Sequence, residues 1–137
     1  MASFNKFQSF VAAAANKVHN LGSDSLKVAM TAAANAPVNT NTKLADLTEI
    51  SYTNCSTRAV TVSSSTQSGG TYKLVCADLT LTASGAVGPL RYVVLYNDTA
   101  TNKELIAWWD YGSEITLANG DTLLVDFDGT NGVFQLT

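Results

Sequence analysis

Histidine is nearly missing from this chain. Its one copy, His19, lies close to the beginning, so everything after it lacks an imidazole to serve as general base or metal ligand. Cysteine is scarce too. Cys55 and Cys76 lack the paired spacing of a zinc site, and in a chain made in a reducing cell they read as free, buried thiols, although two such residues can also meet across neighbouring strands. Charged residues make up only 14% of the chain, against about 25% in ordinary soluble domains, which points to a surface partly covered by other subunits. The net charge is −3 and the eight basic residues are scattered, which argues against a protein that grips a nucleic-acid backbone. No run of 18 apolar residues exists to span a membrane as a helix. The short apolar stretch from Phe10 to Ala15 is followed by Asn16, Lys17 and His19 without a cleavage signal, so the expectation is a mature cytoplasmic product.

What is present divides the chain in two. Phe4, Phe7, Val11, Ala14 and Val18 recur at steps of three and four, which predicts one amphipathic helix over residues 3–19, its stripe widened by Phe10. Ser3 is placed to cap it, Lys17 and His19 suit its C-terminal dipole, and Gly22 offers a left-handed stop. Residues 1–24 thus read as a helical leader, or docking arm, that covers the β domain, packs on a neighbouring subunit, or does both.

Residues 25–137 read as a single β domain. Leu26, Val28 and Met30 alternate with less apolar neighbours, as in a half-buried strand, and a loop follows from Ala34 to Thr42. Leu44 to Ile50 suits either a helical turn or an extended segment. Val60 and Val62 begin a strand that turns through Ser64 to Gly70 into Tyr72, Leu74 and Cys76, and the shift of alternation at Leu79 and Leu81 after Asp78 suggests a bulge. Leu90 to Tyr96 is apolar on nearly both faces, which predicts a central strand that turns back through Asn97 to Asn102 into Leu105 to Trp109. Asn119-Gly120 and Asn131-Gly132 have hairpin composition. Short strands at this spacing predict a mainly β fold, an antiparallel, jelly-roll-like β-sandwich with the N-terminal helix added.

Little in this pattern carries chemistry. Asp126, Asp128 and Asn131 have the wrong steps for a calcium loop, and no bidentate Glu follows them. Asp110 and Glu114 form at most an imagined carboxylate pair across a turn. The expectation is therefore no catalytic residue, no metal and no cofactor. Trp108-Trp109-Asp110-Tyr111 is the most informative cluster. On a strand the two indoles point to opposite faces, so each is covered within the chain, anchors a subunit contact, or offers a sugar platform.

In Gly88-Pro89-Leu90-Arg91-Tyr92-Val93-Val94-Leu95-Tyr96-Asn97-Asp98-Thr99 and Trp108-Trp109-Asp110-Tyr111-Gly112-Ser113, the sequence resembles a family of small tailed-bacteriophage virion proteins. Phe4-Asn5-Lys6-Phe7, Val18-His19-Asn20-Leu21-Gly22, Leu44 to Ile50 and Asp121 to Leu136 are similar to the same family. The resemblance implies a non-enzymatic structural part of a phage particle, made in the bacterial host cytoplasm and carried on the virion. The preferred placement is a capsid decoration, or cement, protein. It would contact copies of itself, commonly as a trimer, and the major capsid protein lattice, with neither nucleic acid nor membrane as partner. Phe4, Phe7, Phe10 and Val11, with Trp108 or Trp109 and with Tyr111, are the expected contact residues. A tail or fibre component and a carbohydrate-binding adsorption module are the alternatives.

Overall fold

The computed structural model describes residues 2–137. Among them the elements run β1 (Asn5–Lys6), α1 (Ser9–Ala15), β2 (Leu26–Thr31), β3 (Ala59–Val60), β4 (Val62–Ser68), β5 (Thr71–Cys76), β6 (Leu79–Thr82), β7 (Val87–Asn97), β8 (Leu105–Leu117), β9 (Thr122–Val125) and β10 (Phe134–Leu136). The fold is mainly β, and every strand pair is antiparallel. Five strands form one sheet in the order β1-β8-β7-β2-β3, three form a second in the order β10-β5-β4, and β6 pairs with β9 alone.

The largest sheet is covered on both faces, which explains the apolar character of its central strands. On one face Val28, Met30, Val93, Leu95 and Ile106 share the main core with Leu74 and Cys76 of β5, Leu81 of β6, Leu123 of β9, and Phe127. On the other, Phe7 closes over Ala29, Val94, Tyr96 and Leu105, with Leu44, Leu47 and Trp108 packed around them. Strand β2, expected to be half-buried, is consequently buried at five of its six positions.

Residues 3–19 are not one helix. Asn5 and Lys6 pair with Trp108 and Ala107 and so extend the largest sheet by a short strand, and α1 begins only at Ser9. The same apolar spacing serves a strand followed by a short helix: Phe7 drops into the second core and Phe10 into the first. Pairing with β8 satisfies backbone groups at a sheet edge, which a helix through residues 3–8 would leave open. No side chain caps the start of α1, where Gln8 rather than Ser3 takes the N-cap position. Its left-handed stop is Lys17 at φ +64°, not Gly22.

Several turns also differ from expectation. Strand β4 continues to Ser68, so the turn into β5 is made by Gly69 and Gly70 alone. No bulge links Cys76 to Leu79. Instead β5 ends, Asp78 Oδ1 accepts the Phe127 N–H at 2.9 Å, and β6 starts a separate sheet. Neither Asn-Gly step forms a hairpin, because β8 pairs with β7, β9 with β6, and β10 with β5. Each step carries the chain from one sheet to another. Leu44–Asp46 forms a turn of 3-10 helix, held by Asp46 Oδ2, which accepts the Thr42 and Lys43 N–H groups at 2.9 and 3.2 Å.

Candidate functional site: an aromatic groove beside strand β8

Strand alternation sends the two tryptophans to opposite faces of the largest sheet. Trp108 lies beneath Phe7, with ring centroids 4.6 Å apart. Trp109 faces the other way, edge-on to Phe127 at 5.8 Å and to Phe4 at 5.9 Å. Strand β1 covers β8 only at Ala107 and Trp108, so the strand emerges from cover at Trp109. There a groove of about 260 Å³ opens between β8 and β9, lined by Val93, Trp109, Tyr111, Leu124, Asp126 and Phe127 among others.

The groove is apolar and its rim is exposed. Tyr111 is 52% exposed, Leu124 56%, and Phe4, joined to the rim through Trp109, 38%. These are half of the large apolar side chains exposed among the described residues, gathered at one place. A surface of this kind is suited to burying apolar area against another surface. Of the carboxylates in this region, Asp126 lines the groove, whereas Asp110, Glu114 and Asp128 are held by other groups. Asp110 receives Arg91 bidentately at 2.8 and 3.0 Å and the Gly112 N–H at 2.8 Å, so its carboxyl is held below the usual range, chiefly by the guanidinium. Glu114 Oε2 accepts the Ala33 N–H at 2.7 Å. Asp128 caps its own turn through the Thr130 and Asn131 N–H groups, each at 2.8 Å. Among the described residues no cluster of three or more His, Cys, Asp or Glu is arranged to hold a metal ion, and no helix is long and apolar enough to cross a membrane. Cys55 and Cys76 are both free.

Of the contact residues expected from sequence, the fold brings Phe4, Trp109 and Tyr111 together. Phe7 and Phe10 are 0% and 3% exposed and therefore committed to the chain's own cores. Trp108 is part-covered by Phe7, and Val11 is exposed on α1 but does not line the groove. Sequence reasoning missed Leu124, Asp126 and Phe127. A signal for Leu124 existed: in the apolar run Leu123-Leu124-Val125, alternation turns Leu124 outward once Leu123 enters the core. No family model, curated protein or solved structure matches the chain.

Proposed function

We propose that this chain is a non-enzymatic structural protein of a tailed-bacteriophage particle, a decoration or cement protein that sits on the capsid surface and binds through the groove beside β8. The gathering of Phe4, Trp109, Tyr111 and Leu124 around one groove carries this reading. In it, the largest sheet is one leaf of a β-sandwich, and the two smaller sheets together form the other. Copies of the chain, arranged as trimers on the major capsid protein lattice, bury the groove against a neighbour. Each bound copy favours the assembled state by mass action, since the contact exists only in the assembly. Stable contacts of this type bury on the order of 1,200–2,000 Å², so the groove would be the centre of a larger interface.

The test is to substitute the rim and leave the core intact. Tyr111→Ser with Leu124→Ser removes two exposed side chains, each expected to supply about 1–2 kcal/mol of binding if central to the contact. The folded variant should be depleted from purified particles, as measured by quantitative mass spectrometry of separated heads and tails. Undiminished incorporation would remove the groove from the contact. Wild-type copies confined to tails would move the protein to a tail or fibre. The carbohydrate alternative is favoured by one observation, an exposed Tyr111 sharing a groove with Asp126, and a glycan array without hits would dispose of it.

A further inference from the structure

His19 is 8% exposed and lies beyond α1, with its ring centroid 5.4 Å from that of Phe10. Its Nδ1 is 3.0 Å from Nδ2 of Asn97, the last residue of β7. The other bonds of Asn97 decide which atom donates. Its Oδ1 accepts the N–H groups of Thr99 and Ala100 at 3.0 and 3.2 Å, and its Nδ2 also donates to Asp24 Oδ2 at 2.7 Å. Reversing the amide would forfeit all three bonds. Nδ2 is therefore the donor toward His19, Nδ1 is the acceptor, and the ring is neutral with its hydrogen on Nε2. That Nε2 is buried without a partner, as is Oε2 of Glu104. Asp24 Oδ2 also accepts the Asn20 N–H at 2.8 Å, so one chain of polar groups runs from the segment after α1 into the turn between β7 and β8.

We propose that His19 is the pin of a pH-sensitive clasp: while neutral it fastens the segment after α1 to the β7–β8 hairpin, and one proton on Nδ1 opens it. A proton there would point an N–H at the NH₂ of Asn97, which is held in place from its other side. The ring must then swing away, taking with it the contact to Phe10, whose ring also packs on Phe134 at 5.1 Å. The groups facing His19 are Asp24 from its own segment and Glu104 from the hairpin, both of which favour the cation, with Lys17 and Tyr72 of β5 lining the same recess. Burial opposes them and prevails, so the imidazole lies below its ordinary value of 6.5. The sign follows: the unfolded chain takes up the proton first, so stability is complete above 6.5 and is lost as pH falls below it, levelling off beneath the folded value. Because His19 is the chain's one imidazole and ordinary carboxylates titrate near 4, the upper part of this window belongs to His19.

Hydrogen exchange on the full chain tests the clasp. The reporters are the Val18, Ser23 and Asp24 amides, bonded to Ala13 O, Asn20 O and Asn20 O, and that of Thr99, bonded to Asn97 Oδ1. Going from about pH 7.5 to about pH 5.5, with intrinsic rates corrected, these should lose protection, by up to about tenfold, while central β7 amides keep theirs. His19→Asn, which offers an oxygen acceptor near the Nδ1 position but does not titrate, should show no such loss. Equal wild-type protection at both pH values, or an undiminished loss in His19→Asn, would overturn the proposal. Should that variant fail to fold, imidazole ¹⁵N shifts of the wild type decide. An Nε2–H tautomer titrating below 6.5 supports the clasp, and an Nδ1–H tautomer or a midpoint at or above 6.5 refutes it.

Discussion

Replacing Phe7 by alanine separates a chain whose beginning is built into the sheet from one that carries a detachable arm. Phe7 is wholly buried, its N–H donates to Ile106 O at 3.2 Å, and its ring covers the second core beside Trp108. Removing a fully buried phenylalanine costs about 3–5 kcal/mol through lost burial and the cavity left behind. Against a total stability of about 5–15 kcal/mol, that is a large fraction. With an unfolding entropy of about 2.1 cal/mol/K per residue over 137 residues, the midpoint should fall by about 10–17 °C. Phe4→Ala, at a side chain 38% exposed, should cost about 1 kcal/mol or less. Urea unfolding followed by both tryptophan fluorescence and circular dichroism gives the two values, and the fluorescence is well placed because Phe7 touches Trp108 and Phe4 touches Trp109. If Phe7→Ala costs no more than Phe4→Ala, the first residues are not built into the sheet and residues 1–24 are a separable arm after all. If the larger cost is found, Phe7→Asp would report unfolding instead of docking, and the contact has to be probed at Phe4, Tyr111 and Leu124.

Gly132 is left-handed at φ +81°, and a Cβ there would lie 2.5 Å from Leu74 O. Gly132→Ala should thus destabilise by at least about 2 kcal/mol in the same urea experiment, whereas Gly129→Ala, with open space around it, should be nearly neutral; equal effects would refute the packing of that turn on β5. Burial pushes the Cys76 thiol up to about 11 and raises that of the half-buried Cys55 as well. At about pH 7.5 an aromatic disulfide reagent should modify Cys55 slowly and Cys76 only on unfolding, and the reverse order would contradict the placement of β5 in the core.

Parts of this fold were legible because they depend on local alternation. Leu90 to Tyr96 reads as a central strand from composition alone, and it is one, since Val93 and Leu95 face the main core while Val94 and Tyr96 face the second. The two Asn-Gly steps show where local chemistry stops being informative. Gly120 and Gly132 do adopt positive φ, at 88° and 81°, so the turns were legible. Their destinations were not, because a strand's partner is chosen by tertiary packing and not by the turn that precedes it.

The same distinction accounts for the groove and for the clasp. Trp108-Trp109-Asp110-Tyr111 stood out in the sequence because two adjacent tryptophans on a strand point to opposite faces, so one enters the core and the other must find cover or remain exposed. The other wall comes from β9, whose strand partner is β6 and not β8. His19 was legible as a residue near the end of a helix, where a cation would be favoured. Its surroundings reverse that reading. The helix ends at Ala15, the ring is buried, and a fixed amide donates to Nδ1, so the neutral form is the one that fits. A lone histidine whose nearest donor lies 78 positions away in the chain acquires its chemistry from topology. On the proposed clasp, the protonation state of His19 reports whether the segment after α1 remains fastened to the β7–β8 hairpin.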